Sequence, residues 1–474
     1  MKYDVEKQHR KKKYHGIERL TLLFDAGSFT VDDRDYDGVI CSFGTINGKK
    51  AFAYAQDFTY MGGTIGIHHG ERIADTVYKA MEEKCPVIGI FDSAGARIDQ
   101  GINALAGCGK MLAATIKASG FIPQISMVMG PCAGAAAYAP ILFDFVFAVN
   151  SISNMYVTGP AVVNSVTGEN CDVESLGGAS MHASVSGQIH KVCASEKEAI
   201  AKVRELLDLI CNLKVEYDPD NQGEREFYNL PSEANKTYDM REFIRNFLDS
   251  GYLYELKEKF AKSMFTGFGR IEGKTVGIIA NQPKFDAGVI NYDASDKAAA
   301  FVRCCDAFDI PIITWVDTPG YLPGLEEERR GIIRHGAKLL YSYVEAGSPK
   351  LTVIVRKAFG GAYIAMGSKA LGVDAVCALP GTQIGVMGVD SAIVIIGRKE
   401  LDKIENEAQR DEYIREFKEE YSKKLTAAEG IENGYIEETV TALKLRQWLA
   451  DRMTTLQATD RKVATNKKHG NIPL

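Results

Sequence analysis

Short apolar runs alternate with longer amphipathic stretches along most of the chain. The runs VIGIF at 87–91 and IITWV at 312–316 are short and continuous, as strands buried in a parallel sheet usually are. The stretches GERIADTVYKAMEEK, from position 70, and SDKAAAFVRCCDAFD, from position 295, repeat their apolar residues with helical spacing. This alternation predicts an α/β fold in which helices cover a parallel sheet.

The pattern occurs twice at a nearly constant offset. The segment GTINGKKAFAYAQD, from position 44, aligns with GRIEGKTVGIIANQ, from position 269. The same offset places Asp92 over Asp317 and Gly95 over Gly320. We therefore predict an internal duplication, in which one α/β domain is followed by a second copy of itself.

A polar segment separates the two copies. Residues 214–239 contain two prolines and no sustained period, which is typical of a linker. We therefore predict an N-terminal domain of residues 1–228 and a C-terminal domain of residues 229–474.

Each copy has one apolar run that ends in a segment rich in Gly and Ala. These segments are GPCAGAAAY at 130–138 and RKAFGGAYI at 356–364. A single such segment is explained by close packing of a helix on a strand. Two copies favour a chemical role, because the first N–H groups of a helix lack internal partners and small residues let a ligand oxygen reach them. A pair of these N–H groups forms an oxyanion hole, in which each donor is typically worth ~3 kcal/mol of barrier.

Composition excludes several functions. The net charge is -6, which provides no basic field for nucleic acid, and no segment is long and apolar enough to insert in a membrane. The basic start lacks the apolar core of a secretory signal. Ten cysteines without a C-x-x-C pair predict reduced thiols in the cytoplasm and no metal site.

Other catalytic motifs fail on inspection. GCGKM at 107–111 lacks the Ser or Thr and the glycine spacing of a phosphate-binding loop, and no serine stands in G-x-S-x-G. Cys132 lies inside the first small-residue segment, but no His is near it in sequence. We expect a packed thiol there and not a nucleophile.

Several longer stretches carry a family resemblance. They are GIERLTLLFDAGSF, DSAGARIDQG, MGPCAGAAAYAP, ESLGGASMHASVSG, DTPGYLPGLEEERRGIIRHGAKLLY, RKAFGGAYIAMGSK and PGTQIGVMG. The sequence resembles the carboxyltransferase (beta) subunit of biotin-dependent acyl-CoA carboxylases, of the propionyl-CoA and acetyl-CoA carboxylase type. It is also similar to the alpha subunits of biotin-dependent acyl-CoA decarboxylases. The resemblance implies two tandem crotonase-like (ClpP/crotonase) domains, with acyl-CoA on the N-terminal half and biotin on the C-terminal half of a neighbouring subunit.

The resemblance also implies the site residues. The first oxyanion hole falls on Gly134 and Ala135, where family members usually have two glycines, and the second falls on Gly361 and Ala362. Ile364 stands where propionyl-type members tend to carry an acidic residue, which suggests acceptance of acetyl-CoA or a range of acyl lengths.

A further implied element is the loop beside the CoA thioester and pantetheine. Its residues are Ser93, Ala94, Gly95, Ala96 and Arg97. Arg97 would either meet the CoA phosphates or form an ion pair at a helix end.

The implied reaction moves a carboxyl group between carboxybiotin and the α-carbon of a short acyl-CoA, such as acetyl-CoA or propionyl-CoA, without a metal. No A-M-K-M-like biotinylation motif and no nucleotide-binding loop occur in the sequence. We therefore expect a separate biotin carboxyl carrier protein and, for carboxylation, a biotin carboxylase subunit. The expected assembly is a homo-oligomer, a trimer of dimers with active sites between subunits.

Three alternatives remain open from the sequence. The same site run in reverse would belong to the alpha subunit of a membrane-coupled methylmalonyl-, malonyl- or glutaconyl-CoA decarboxylase. A biotin-independent crotonase-type hydratase or isomerase is a second enzyme class, and a non-catalytic scaffold would be a third. Intact small-residue segments in both copies disfavour the scaffold.

Overall fold

The chain forms two compact units in the computed structural model, which describes residues 4–32, 34, 36–221, 223, 226–233, 236–457 and 472–473. Unit 1 comprises Met1–Asn212 with Lys257–Phe260, and unit 2 comprises Leu213–Leu256 with Ala261–Leu474. The division follows Asn212 because the next residues pair with the hairpin of unit 2. The Val215 N–H donates to the Gly273 carbonyl oxygen at 2.9 Å. The predicted domain bounds, 1–228 and 229–474, stay a prediction.

Unit 1 has a mixed sheet with helices on it. Its strands are β1 (Thr30–Asp32), β2 (Val39–Ile46), β3 (Lys49–Gln56), β4 (Val87–Ser93), β5 (Gln124–Ala133), β6 (Phe145–Val149), β7 (Asn154–Tyr156) and β8 (Lys191–Cys193). Its helices are α1 (Val5–His9), α2 (Gly16–Leu23), α3 (Ile67–Glu82), α4 (Ile102–Ala118), α5 (Ala135–Ile141), α6 (Pro160–Thr167), α7 (Val173–Gly177), α8 (Ala179–Ser184) and α9 (Glu196–Cys211). Over the described residues the strand order is β1-β2-β3-β4-β5-β6-β8, and β7 pairs with the far end of β5. The pairs from β3 to β8 are parallel, as predicted.

Unit 2 repeats this arrangement. Its strands are β9 (Leu253–Leu256), β10 (Met264–Ile271), β11 (Lys274–Asn281), β12 (Ile312–Thr318), β13 (Lys350–Phe359), β14 (Ala375–Ala378), β15 (Gln383–Gly385) and β16 (Glu438–Thr439). Its helices are α10 (Met240–Arg245), α11 (Tyr292–Ala307), α12 (Leu325–Arg330), α13 (Ile332–Glu345), α14 (Gly360–Ala365), α15 (Val389–Ile395), α16 (Arg398–Leu401), α17 (Glu407–Ser422), α18 (Ala427–Glu432) and α19 (Ala442–Gln457). Over the described residues the strand order is β16-β14-β13-β12-β11-β10-β9, with β15 beside β13. The predicted duplication of one α/β fold is confirmed.

The hairpins at the start of each sheet show the duplication in atomic detail. Asn47 and Gly48 both have positive φ in the β2–β3 turn, the conformation that suits an Asn-Gly hairpin. The Asp25 carboxylate accepts both of their N–H groups, at 3.0 and 2.9 Å. In unit 2 the Asp249 carboxylate accepts the N–H groups of the β10–β11 turn in the same way.

Each unit has its own apolar core between the sheet and its helices. In unit 1, Phe91 of β4 packs with Ile73 and Val77 of α3 and Met111 of α4, and all four are fully buried. In unit 2 the core centres on Trp315 of β12, whose ring stacks on Phe247 at 5.2 Å. Burying one such side chain contributes about 1.5–3 kcal/mol. These cores hold the carboxyl ends of β5 and β13 in place.

Candidate functional site

The first small-residue segment forms a sharp turn from β5 into α5. Ala133, the last residue of β5, pairs with Tyr156 of β7. Gly134 then has φ of +60°, a left-handed conformation that a residue with a Cβ adopts only at a cost. The Gly134 N–H donates to the Tyr156 carbonyl oxygen at 3.1 Å. That N–H is therefore used within the fold.

The second segment repeats the turn. Phe359, at the end of β13, pairs with Gly385 of β15, and Gly360 has the same φ of +60°. A Cβ built on Gly360 would lie 3.1 Å from the Val386 carbonyl oxygen. The equivalent Cβ on Gly134 faces the Val157 carbonyl oxygen. Both turns therefore need glycine for their backbone conformation.

This correspondence aligns Gly134 with Gly360. Ala135 then aligns with Gly361, and Ala136 aligns with Ala362. The two predicted pairs are therefore not equivalent in this alignment. The pair predicted for the first hole, Gly134 and Ala135, aligns with residues 360 and 361, one position before the predicted pair Gly361 and Ala362. Helical positions one and two, whose N–H groups have no intrahelical acceptor, are Ala135 and Ala136 in α5.

The loop predicted to bind substrate lies against the first turn. The Ala94 N–H donates to the Gly62 carbonyl oxygen, and the Gly95 carbonyl oxygen accepts from Ile65. A Cβ on Gly95, whose φ is +107°, would lie 2.9 Å from the Ala133 carbonyl oxygen. Only glycine allows this approach, which places Ser93–Ala96 beside the end of β5. Ala94 is exposed there, whereas the Ser93 side chain is buried and accepts the Gly95 N–H.

Arg97, the last residue of this loop, has its partners inside unit 1. Its guanidinium forms an ion pair with the Asp37 carboxylate at 2.6 Å and donates to the Thr64 carbonyl oxygen at 2.9 Å. Only 4% of the residue is exposed. The sequence left open whether Arg97 meets the CoA phosphates or forms an ion pair. In the structure it forms an ion pair with Asp37, which fixes the loop.

The corresponding loop of unit 2 brings an aromatic ring to the second turn. Tyr321 bridges to Ile290 as Ala96 bridges to Ile65, so Tyr321 and Ala96 are equivalent. A Cβ on Gly361 would lie 3.8 Å from the Tyr321 ring. Burial raises the pKa of Tyr321 to about 12, so the phenol is neutral at pH 7. The sequence reasoning missed Tyr321, although the offset that aligned Gly95 with Gly320 also pairs Tyr321 with Ala96.

Ile364 and Cys132, which the sequence analysis also considered, lie in different surroundings. Ile364 lies on α14, one turn from the helix start, and 42% of it is exposed. Cys132 is fully buried in β5, and burial raises the pKa of its thiol, so it stays protonated. The expected packed thiol is what the structure has.

The described residues contain no cluster of three or more His, Cys, Asp or Glu side chains that could hold a metal ion. Among the helices whose residues the structure describes, none is long and apolar enough to cross a membrane.

Comparison with known proteins identifies the family. The model of the carboxyl transferase domain matches residues 7–472. The chain is 42% identical to the carboxyltransferase subunit of propionyl-CoA carboxylase from Haloferax mediterranei, over 99% of this chain and 95% of that protein. It is 44% identical to the alpha subunit of methylmalonyl-CoA decarboxylase from Veillonella parvula, with the same coverage. The crystal structure of transcarboxylase 12S, solved with methylmalonyl-coenzyme A bound, superposes with a TM-score of 0.91 at 38% identity, over 99% of this chain and 94% of that one.

The chain belongs to the carboxyl transferase domain family. Its two α/β units are the tandem crotonase-like halves that the sequence predicted, and that prediction is confirmed. The resemblance to carboxyltransferase subunits of biotin-dependent acyl-CoA carboxylases and to decarboxylase alpha subunits is confirmed as well. The chain is a biotin-dependent acyl-CoA carboxyltransferase.

Proposed function

We propose that this carboxyltransferase stabilises two oxygen atoms with the N–H groups of two equivalent helix starts. The observation that carries the proposal is the repetition of one strand–glycine–helix turn, at Gly134 and at Gly360, with the same φ. Transfer of a carboxyl group through an enolate places charge on the thioester oxygen, and a second polar oxygen lies on the ureido group of biotin. Two such oxygens require two sets of donors.

In unit 1 the donors are the N–H groups of Ala135 and Ala136. The Gly134 N–H already has the Tyr156 oxygen as its acceptor, so the contribution of Gly134 is the left-handed turn that aims the next two N–H groups outward. These donors are fixed before the substrate arrives, so they cost no reorganisation during the reaction. The loop from Ser93 to Ala96 borders this hole, and its exposed Ala94 offers a small surface to the pantetheine chain.

In unit 2 the donors are the N–H groups of Gly361 and Ala362. The fit to biotin rests on an exposed Gly361 that lacks a side chain and on the flat Tyr321 ring beside it. Biotin, when bound, supplies or accepts the carboxyl group and takes the α-proton of the acyl-CoA in the carboxylation direction. The chain itself orients both reactants and excludes water.

We propose a short acyl-CoA as the substrate, with propionyl-CoA and its carboxylated form included. The relatives named above act on propionyl-CoA or methylmalonyl-CoA, and both directions of transfer occur among them. Ile364 adds an apolar side chain near the second hole, which favours acceptance of several acyl lengths.

The proposed partners are a biotin carboxyl carrier protein and, for carboxylation, a biotin carboxylase subunit. We propose a trimer of dimers with active sites between subunits, supported by the hexamer described for transcarboxylase 12S. The cytoplasm is the proposed compartment, because none of the ten cysteines, all of which lie in the described residues, forms a disulfide.

The direct test is an assay of the purified chain with free biotin and without ATP. We expect slow decarboxylation of malonyl-CoA and methylmalonyl-CoA that depends on biotin. Replacing Ala135 by Gly keeps the N–H, so this control variant should stay within a few-fold of the wild type. Hydration of an enoyl-CoA without biotin, together with no decarboxylation, would overturn the proposal.

A further inference from the structure

Unit 2 contains a cavity of about 370 Å³ beside β13, the strand that leads to the second turn. This volume is within the range of small-molecule binding pockets. Its apolar wall includes Phe227, Phe243 and Leu379, and its polar wall includes Lys357 and Gln383. None of the described residues that line it is Asp or Glu.

Unit 1 has a cavity at the same place in the duplicated fold, with a volume of about 480 Å³. In both units the cavity is bordered by the segment that precedes α2 or α10, by the end of β6 or β14, and by the start of α9 or α19. The residues around the two equivalent cavities can therefore be compared directly.

In unit 1 the buried charges around this position balance, although the exposed Lys12 and His9 also line the cavity. The Lys13 ammonium pairs with the Asp92 carboxylate at 2.7 Å. The Arg19 guanidinium bridges Asp92, at 3.1 Å, and Glu196, at 2.6 Å. Two buried cations thus face two buried carboxylates, and Glu196 is supplied by the start of α9.

In unit 2 the same position carries different residues. Phe243 precedes Asp249 by six positions, as Arg19 precedes Asp25, so an apolar ring takes the place of the guanidinium. Helix α19 begins with Ala442 at the cavity wall, where α9 begins with Glu196. The internal carboxylate of unit 1 therefore has no counterpart on the wall of this cavity.

The cations of unit 2 come from β13 itself. Arg356 pairs with Asp317, the counterpart of Asp92, at 3.1 Å. The Lys357 ammonium forms no ion pair within the part of the chain that the structure describes. Two cations face one carboxylate, and the unbalanced charge borders an apolar cavity.

We propose that this cavity binds a monocarboxylate with an apolar body, such as a free medium-chain fatty acid. The carboxylate pairs with Lys357, and the Gln383 amide, across from Lys357 in the β13–β15 pair, donates to it. The hydrocarbon chain lies on Phe227 and Leu230, the partly exposed apolar side chains of the wall, where removal of apolar surface from water provides the remaining affinity. The positive end of α19 adds a smaller favourable term.

The test is a calorimetric titration of the full-length protein with octanoate, which measures the binding affinity. Replacing Lys357 by Met keeps the stem of the side chain and removes its charge, so octanoate affinity should fall about tenfold or more. The neutral analogue octanamide should bind both proteins equally. The matched control is Lys399→Met, an exposed lysine on α16, which should bind octanoate as the wild type does. Equal octanoate affinity in K357M and the wild type would overturn the proposal.

A second variant tests the cavity independently of charge. Replacing Ala442 by Phe fills the space at the start of α19, so the binding of octanoate and octanamide should both be lost while the thermal melting temperature shows a folded protein. K357M alone decides the outcome if A442F does not fold. Saturating malonyl-CoA should leave octanoate affinity unchanged, and displacement of octanoate by malonyl-CoA would place it in the acyl site and refute the cavity. None of these readouts depends on carboxyl transfer, so they can fail separately from the proposed function.

Discussion

The Tyr321 ring lies beside Gly361, and a Cβ added to Gly361 would meet two ring carbons at 3.8 Å. The equivalent position in unit 1 is Ala96. The second helix start therefore has a flat apolar wall that the first one lacks. A flat wall suits a ring, whereas an open side suits the chain of an acyl thioester.

Replacing Tyr321 by Ala should weaken the use of biotin and spare the use of acyl-CoA. In the biotin-dependent decarboxylation assay, we expect the KM for free biotin to rise about tenfold, because a buried aromatic contact of this kind is worth on the order of 1 kcal/mol or more. The KM for malonyl-CoA should stay within about twofold. The conservative variant Tyr321→Phe keeps the ring and should behave as the wild type toward biotin. An equal rise of both KM values would mean that the ring only supports the fold.

Replacing Gly134 by Ala tests the conformational role of this glycine. An Ala with φ of +60° costs roughly 1–2 kcal/mol, so the melting temperature of the variant should fall by a few degrees. Turnover by the folded protein should stay within a few-fold of the wild type, because the N–H groups of Ala135 and Ala136 remain. A loss of turnover of about 100-fold at unchanged stability would instead mean that a methyl group at position 134 obstructs the hole.

Two variants that are each nearly inactive should restore activity when they are mixed, if the site forms between subunits. Replacing Ala135 by Pro removes a donor from the first hole, and replacing Ala362 by Pro removes one from the second. Each change should reduce the rate on the order of 100-fold or more. About half of randomly reassembled dimers contain one chain of each kind, and one of their two sites is intact, so about a quarter of wild-type activity should return.

The control for this mixing experiment is each variant reassembled alone, which should stay inactive. Mass spectrometry should confirm the mixed assembly. No recovery from confirmed mixed dimers would mean that both holes act within one chain.

Unfolding of unit 1 should depend on pH through Asp144. Burial raises the pKa of this carboxyl to about 7, although its hydrogen bond from the Gln124 N–H acts in the opposite direction. The folded state then binds more protons than the unfolded state between about pH 4 and pH 7, so the free energy of unfolding should fall as the pH rises through this window. The loss should be a few kcal/mol at most, since one pKa unit corresponds to about 1.4 kcal/mol.

The variant Asp144→Asn isolates this effect, because it stays neutral and keeps an oxygen for the Gln124 N–H. Urea titrations from pH 4 to pH 7 give the free energy of unfolding at each pH. This free energy should fall less steeply with pH in D144N than in the wild type. Asp75→Asn, at an exposed position of α3, is the matched control and should leave the slope unchanged. An identical slope in D144N would assign the pH dependence to another group.

Much of the fold could be predicted from the sequence, because its signals are local. Continuous apolar runs such as VIGIF and the helical spacing of GERIADTVYKAMEEK reflect burial on a sheet and on one face of a helix. The hairpin turns at Gly48 and Gly273 need left-handed residues, and this need is visible as glycine. The duplication itself could be recognised because both copies bury equivalent positions.

The sequence located the candidate site only to within one segment in each copy. GPCAGAAAY and RKAFGGAYI locate the two turns, yet which N–H is free depends on the pairing of Ala133 with Tyr156, two residues that lie far apart in sequence. The partner of Arg97 was open for the same reason, since Asp37 lies sixty positions earlier in the chain.

The sequence by itself determined the family, the duplicated α/β fold and the positions of the two small-residue turns, because these depend on local composition and on repeated patterns. Tertiary structure decided which atoms are available. The strand β7 takes the N–H of Gly134, and the loop of unit 2 brings Tyr321 to Gly361. Among the described residues, Lys357 of β13 forms no ion pair, because Arg356 pairs with the nearby Asp317. Each of these outcomes depends on contacts between distant segments, and such contacts form only when the chain has folded.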